Sequence, residues 1–338
     1  MPTDVHQHLW PPAFVALLRE RGAPPRLDGW TLELPGEPPY PVDPADHDIA
    51  ARVRLARADG LDRALVSLSS PLGIEYLPPE EAAPLLAAFH DGALALPAPF
   101  GVWASVRLAG PEPDTEGLRR ELRRGCVGLQ LPATALLDAA GWARCAPLLD
   151  VLAALDKPLF VHPGAAPPAE GAAPAWWPAL VPYVQQMHAS WFAFRAFGRP
   201  RHPGLRVCFA ALAGLAPLHG ERLVARGGAG ERGRVDPGAF YETSSYGARA
   251  VDALIRAVGI DVVVNGSDRP YARPLVRHRP PSDRPYARPL ARHRPPREAL
   301  RAAPRDPVVP GLGGEAAVHA LRTVNPARLL GPSKGVRP

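Results

Sequence analysis

The sequence predicts an α/β protein, a single (β/α)8 TIM barrel, from two observations. Eight short strand-like runs alternate with stretches of helical periodicity, and several of the runs are rich in Val, Leu and Phe, as is typical of buried parallel strands. The length of 338 residues exceeds that of a small module and suits one large barrel. A doubly wound open sheet is the less favoured arrangement, because eightfold alternation is the barrel's own pattern.

Several of the strand candidates are nearly continuous apolar runs. In chain order the eight candidates span residues 3–8, 63–69, 100–108, 126–132, 158–163, 205–213, 239–245 and 260–267. Such runs are expected where helices cover the outer face of a parallel sheet. They predict eight neighbouring strands in one barrel.

Helical spacing is clearest in three of the intervening stretches. The apolar positions concerned are Ile49, Val53 and Ala56; Leu118 and Leu122; and Val251, Leu254, Ile255 and Val258. Gly259 is expected just beyond the end of the third helix. Pro147 is expected in the first turn of another helix, which Lys157 and Pro158 end. A final helix is expected near residues 315–330.

One segment interrupts the alternation. Residues 267–281 are repeated almost unchanged in residues 282–296, with Val276 replaced by Ala291. Two copies are too few for a solenoid, and the many prolines and arginines predict an extended, flexible chain. We therefore expect a Pro/Arg-rich insertion after strand 8, a low-complexity segment over residues 273–312, within one barrel that spans residues 1–338.

The net charge of +6 comes from this same region. Residues 267–306 hold 11 arginines and four acidic residues, a balance of +7, which leaves −1 for the rest of the chain. No aromatic stacking platform accompanies the arginines, so we expect no nucleic-acid partner. An arginine-rich loop that binds nucleic acid is kept as an alternative; its affinity would fall steeply with salt.

The cysteines and the amino terminus bear on the compartment. Cys126, Cys145 and Cys208 form no Cys-x-x-Cys pair, which predicts reduced thiols. The first residues resemble no secretory leader, and there is no apolar run of about 18 residues. We therefore expect a cytoplasmic protein with no membrane partner.

Candidate metal ligands stand at three strand ends. His6 and His8 end the first strand, His162 ends the fifth, and Asp268 follows the eighth. In a barrel the carboxyl ends of the strands build the functional face, so these side chains are expected to converge there. Three imidazoles and one carboxylate suit Zn²⁺ with room for a water molecule.

The spacing within the first strand supports this interpretation. Side chains alternate along a strand, so His6 and His8 face the same side and Gln7 faces the other. Two imidazoles on one side can share one cation, whereas two surface histidines at a terminus are the bland alternative. A water bound to such a cation loses its proton near neutral pH and becomes a nucleophile.

With these residues in place, the sequence resembles the amidohydrolase superfamily. The resemblance is to its amidohydrolase-related branch, which includes aminocarboxymuconate semialdehyde decarboxylase and related aromatic-acid decarboxylases. It covers nearly the whole chain, through DVHQHLWPPAF near the start, VHPG at 161–164, LRVCFAALAGLAPLHGERL at 205–223, FYETSSYG at 240–247, GSDRPYA at 266–272 and TVNPARLLG at 323–331. It implies the same barrel and the same four metal ligands, and it is compatible with a homodimer.

The sequence departs from that family at one position. The resemblance implies a histidine at the end of strand 6, which in the decarboxylases acts as the base, and Ala211 stands there instead. Asp268 itself, or His188 or His219, is then needed for proton transfer. The alternatives are a different reaction and a catalytically silent barrel that binds a small molecule or a protein.

The expected activity is metal-dependent hydrolysis. A metal-activated hydroxide would attack a C–N or C–O bond of a small-molecule substrate, with His6, His8, His162 and Asp268 holding the ion. Asp268 is the expected proton shuttle. Nonhydrolytic decarboxylation of an aromatic or unsaturated carboxylic acid is the alternative, against which Ala211 counts.

Overall fold

Parallel strands form the centre of the structure, a computed structural model that describes residues 1–110, 112–168, 173–228, 235–272 and 314–331. The strands are β1 Thr3–Gln7, β2 Arg26–Asp28, β3 Thr31–Leu34, β4 Glu37–Pro41, β5 Arg63–Val66, β6 Phe100–Val102, β7 Leu129–Pro132, β8 Leu159–His162, β9 Val207–Phe209, β10 Ala239–Glu242 and β11 Val263–Val264. Within these ranges, every one of the eight predicted runs contains a strand. Each strand is shorter than its run.

The eight parallel strands lie in two sheets. One has the order β1–β5–β6 and the other β11–β10–β9–β8–β7, with every neighbouring pair parallel. Backbone contacts join the sheets on both sides. Ala104 donates its N–H to the Gly128 carbonyl at 2.9 Å, and Asp268 donates its N–H to the His6 carbonyl at 2.9 Å. The carboxyl ends of β1, β8 and β11 therefore face a common space.

Helices follow most of these strands. They are α1 Pro12–Glu20, α2 Ile49–Ala58, α3 Pro79–Leu94, α4 Thr115–Arg124, α5 Ala139–Ala154, α6 Trp177–Leu180, α7 Pro182–Ala193, α8 Arg199–Arg201, α9 Gly220–Ala225, α10 Ala248–Val258, α11 Gly314–His319 and α12 Asn325–Leu330. The three predicted amphipathic stretches are confirmed as α2, α4 and α10. The expected final helix is confirmed as α11 and α12, which a π-helical turn joins.

The prediction for Pro147 is wrong. This proline lies inside α5, not in its first turn. The helix begins earlier because the Asp138 side chain caps it, accepting the Gly141 N–H at 2.8 Å. The first turns then bury Trp142 and Cys145 against the core, so burial and capping together override the preference of proline for a first turn.

The three-stranded antiparallel sheet β2–β3–β4 was not predicted. Its second hairpin turns at Gly36, where an added Cβ would lie 2.5 Å from the Ala166 carbonyl oxygen, in the segment that follows His162. Tyr183 on α7 donates a hydrogen bond to Glu37 at 2.5 Å. The sheet therefore packs beside the carboxyl end of β8.

Three further expectations concern the rest of the chain. The predicted insertion at 273–312 lies outside the described residues. Cys126, Cys145 and Cys208 are buried free thiols. In the ranges that the structure describes, no helix combines the length and the apolar character needed to cross a membrane.

His90 on α3 gives a test of the fold through pH. Its Nε2 accepts the Ser105 N–H at 3.0 Å, and its side chain is buried. Burial lowers the pKa of His90 from 6.5 to about 4. Unfolding therefore takes up a proton between these two pH values, so this histidine's contribution to stability is complete above pH 6.5 and is lost as the pH falls towards 4.

We expect His90→Gln to flatten this dependence, because glutamine keeps an acceptor for Ser105 and does not titrate. Between pH 7 and pH 4 the free energy of unfolding should fall by about 3 kcal/mol less in the variant than in the parent. Urea unfolding at several pH values, with His219→Gln as an exposed control, measures the difference. Equal slopes for parent and His90→Gln would contradict the assignment.

Candidate metal centre

The ends of three parallel strands hold the predicted ligands. His6 lies on β1 and His8 directly follows it, His162 ends β8, and Asp268 follows β11. Gln7 faces the other way, as predicted. Its side chain accepts a hydrogen bond from Arg52 on α2 at 2.6 Å. Strand alternation therefore directs both imidazoles of β1 into the space inside the strands.

The four side chains meet at one point. One ligand atom from each of His6, His8, His162 and Asp268 lies within 4.8 Å of the others. The Nε2 atoms of His6 and His8 are 3.0 Å apart, and Asp268 Oδ1 lies 3.4 Å from the first and 3.2 Å from the second. The three ring centroids are separated by 4.8 to 5.1 Å.

Hydrogen bonds to Nδ1 decide which nitrogen of each ring is available. His8 Nδ1 donates to the Ser67 carbonyl at 2.9 Å, and His162 Nδ1 donates to the Pro163 carbonyl at 2.8 Å. A carbonyl only accepts, so each of these nitrogens carries the hydrogen. His6 Nδ1 donates in the same way to Glu242 at 3.0 Å. Each Nε2 therefore keeps its lone pair for the shared point.

This donor set fits a divalent cation. Two lone-pair nitrogens at 3.0 Å repel each other unless a cation or a proton lies between them. Burial lowers the pKa of His6 to about 4 and that of His162 well below 6.5, which keeps both rings neutral at pH 7. Neutral imidazole is the form that binds metals, and three imidazoles with one carboxylate suit Zn²⁺ or a similar ion.

Glu242, at the end of β10, is a site residue that the sequence interpretation missed. Its carboxylate accepts hydrogen bonds from His6 Nδ1, from the hydroxyl of Ser244 at 2.7 Å and from the Ala211 N–H at 3.2 Å. It is completely buried, and burial raises its pKa to about 7. A carboxylate behind a ligand histidine orients the ring and makes its Nε2 a stronger donor.

Ala211 lies where the family resemblance implies a histidine. It follows β9, and its N–H points to Glu242, while its methyl group has no proton to give or take. The turn that it begins has an unusual backbone, because Ala211, Leu212, Ala213 and Leu215 all have φ between 47° and 61°. Left-handed conformations of this kind cost roughly 1–2 kcal/mol for each residue other than glycine.

The two other candidate proton carriers lie elsewhere. His188 on α7 and His219 before α9 contact each other, with ring centroids 5.2 Å apart. Among the described residues, neither belongs to the converging group of ligand atoms. Asp268 is the one ligand whose side chain keeps appreciable exposure, 18%, so it lies closest to the solvent side of the site.

Comparisons with solved structures show the fold. An IDCase from Metarhizium anisopliae in its apo form matches with a TM-score of 0.71 and 18% identity, over 98% of this chain and 97% of that one. A 2,6-dihydroxybenzoate decarboxylase from Rhizobium matches with 0.64 and 16%, over 97% and 98%. A 5-carboxyvanillate decarboxylase from Novosphingobium aromaticivorans, complexed with manganese, matches with 0.59 and 17%, over 80% and 87%.

These similarities confirm the predicted resemblance to the amidohydrolase superfamily at the level of the fold. The sequence comparisons add nothing to this. No protein-family profile matches the chain, and no curated protein matches it.

The prediction of hydrolysis as the main reaction is wrong. The activities named for the matching structures are mainly decarboxylations, with one hydratase, which fits the alternative reaction better. Ala211 remains a departure from the histidine that the resemblance implies for the decarboxylases.

Proposed function

We propose that this protein is a metal-dependent decarboxylase of an aromatic or unsaturated carboxylic acid. The observation that carries the proposal is the convergence of three imidazoles and one carboxylate, with each Nδ1 anchored and each Nε2 directed at the shared point. The named activities of structures with the same fold support it. The substrate is a small molecule.

The reaction replaces a carboxylate by hydrogen. The bond between the carboxylate carbon and its neighbour breaks, carbon dioxide leaves, and the electron pair that stays on the neighbouring carbon takes up a proton. A divalent cation held by His6, His8, His162 and Asp268 would bind the substrate and orient its carboxylate. Asp268, beside the solvent side of the site, is proposed to hold and deliver the proton.

Several finer points belong to the same proposal. We infer that the eight parallel strands close into one barrel, since backbone contacts join both edges of the two sheets. The ion is proposed to be zinc, which the ligand set predicts, or manganese, which one compared structure contains. A cytoplasmic homodimer that binds neither nucleic acid nor membrane stays a prediction.

Carbon dioxide release tests the proposal. Protein loaded with Zn²⁺ or Mn²⁺ is incubated in D₂O with a panel of aromatic and unsaturated carboxylic acids. We expect carbon dioxide and a product that carries one deuterium at the carbon that lost the carboxylate. His219→Ala, which changes a histidine outside the ligand group, should behave as the parent does.

The contrary outcome is equally specific. Protein that binds the ion and the acids without releasing carbon dioxide would favour the silent binding barrel, which the methyl group of Ala211 already makes a real alternative. Release of an amine or an alcohol in place of carbon dioxide would instead restore hydrolysis.

A further inference from the structure

A second buried polar cluster lies inside the strands, apart from the metal ligands. Ser70 and Glu75 follow β5, and Gln130 lies on β7; their side chains are at most 1% exposed. The Ser70 hydroxyl donates to Glu75 Oε1 at 2.6 Å. Gln130 Nε2 donates to the same hydroxyl oxygen and to the Leu68 carbonyl, each at 2.8 Å. The decarboxylation proposed above uses none of these side chains.

Two links place this cluster beside the metal centre. The Leu68 carbonyl that accepts from Gln130 belongs to the residue after Ser67, whose carbonyl anchors His8. On the other side, Gln130 pairs in register with Phe160, whose ring lies 5.0 Å from that of His6. The cluster therefore lies on the β5–β7 side of the ligands.

A third contact extends the cluster towards the loop that follows β8. Tyr76, next to Glu75, hydrogen-bonds through its hydroxyl to Thr134 at 3.0 Å. An added Cβ at Gly164 would lie 2.4 Å from the Thr134 hydroxyl, and Gly164 is two residues beyond His162. Glu75 and its neighbours therefore lie against the loop that follows His162.

Two oxygens of this polar cluster lack hydrogen-bond donors. Glu75 Oε2 and Gln130 Oε1 are both buried without a hydrogen-bond partner in the part of the chain that the structure describes. Leaving a buried acceptor unsatisfied costs about 1–3 kcal/mol, and more when it is charged. Burial raises the pKa of Glu75 to about 7, so near neutral pH this carboxyl is ionised in part of the molecules. Both oxygens can only be satisfied by a group that brings hydrogen.

We propose that Glu75 Oε2 and Gln130 Oε1 form an acceptor subsite that binds a hydroxyl or N–H group of the substrate while the substrate's carboxylate faces the metal ligands. The inference rests on the proposed function for the carboxylate end alone. It adds the requirement that the acid carries a hydrogen-bond donor on its far part. The bland alternative is a proton that stays on Glu75 and closes the cluster without a ligand.

Binding of matched acids to the metal-loaded protein tests the subsite. Isothermal titration gives the dissociation constants of benzoate and of its hydroxy and amino isomers. A hydrogen bond to a charged group contributes about 1.5–3 kcal/mol, so at least one donor-bearing isomer should bind about 10- to 100-fold more tightly than benzoate. The hydroxy and amino arms show which donor the subsite accepts.

The variant Glu75→Leu removes both carboxylate oxygens at similar volume. The ratio of the dissociation constants of benzoate and the preferred isomer should then fall to about 1, while Glu121→Gln, a buried carboxylate on α4, should keep the parent's ratio. Equal binding of all isomers by the parent overturns the inference, even if Glu75→Leu fails to fold. So does an unchanged ratio in the folded variant.

Failure of the two proposals can be told apart. If carbon dioxide is released and the isomers bind equally, only the subsite is rejected. If donor-bearing isomers bind more tightly through Glu75 and no acid loses carbon dioxide, the subsite stands and the decarboxylase is rejected.

Discussion

Replacing His162 with alanine will abolish tight binding of the divalent cation, and with it decarboxylation. The ring supplies one of three converging Nε2 atoms, and its Nδ1 is anchored on the Pro163 carbonyl at 2.8 Å. Its removal leaves two nitrogens and one carboxylate, one protein ligand fewer than in the parent. Elemental analysis of purified protein should drop from about one ion per chain to near zero.

The matched control for this variant is His219→Ala, because His219 contacts His188 and lies outside the ligand group. Both variants should unfold cooperatively, so that metal loss cannot be attributed to a loss of the fold. A His162→Ala protein that retains a full equivalent of metal would show that the ion binds elsewhere.

Gly266→Ala should disturb the same centre by displacing Glu242, the carboxylate that hydrogen-bonds to His6. An added Cβ at Gly266 would lie 2.2 Å from both Cγ and Oε1 of Glu242. Glu242 cannot move aside cheaply, because it is completely buried and accepts hydrogen bonds from His6, Ser244 and Ala211. We expect a loss of about 1–3 kcal/mol in the free energy of unfolding of the metal-free protein.

Metal affinity should fall as well, by at least the 10- to 100-fold that changes behind a ligand histidine typically cause. Glu242→Gln separates the two effects, because it keeps the volume and weakens only the carboxylate's hold on His6. Gly247→Ala is the control, since an added Cβ there has no atom within 4 Å. Competition with a chelator measures the affinities. Equal affinities for the parent and Gly266→Ala would contradict a role of Glu242 in metal binding.

The eight parallel strands were predictable because their signal is local. Runs such as 158–163 and 205–213 are apolar on both faces, which only a strand covered by helices requires. The sheet β2–β3–β4 gave no comparable signal, because its strands are three to five residues long and β4 contains three prolines. Its position depends on contacts of Gly36 and Glu37 with residues more than 100 positions away.

The same distinction applies to the site. The spacing of His6 and His8 predicted them as ligands. His162 and Asp268 were predicted from their positions at strand ends. Glu242 had one signal, an acidic residue at the end of an apolar strand, and its partner His6 lies 236 residues away in the sequence. Glu75 and Gln130 carried no motif, so only the packed structure shows that both hydrogen-bond to the Ser70 hydroxyl.

The choice of reaction could not be read from the ligands, because one set of four side chains serves several reactions of this fold. Ala211 counted against decarboxylation, because the resemblance implies that a histidine at this position acts as the base in the decarboxylases. The structure shows that the Ala211 N–H donates a hydrogen bond to Glu242, which also accepts one from His6. The position keeps a structural link to the centre without a side chain that transfers protons.

The most direct measurement is X-ray absorption at the metal edge of protein loaded with one equivalent of Zn²⁺. We expect a first shell of nitrogen and oxygen with the outer-shell scattering of three imidazoles, reduced to one imidazole in the His6→Ala, His8→Ala double variant if any ion remains. A spectrum without imidazole scattering, or a protein that binds no divalent ion at all, would contradict the proposed metal centre.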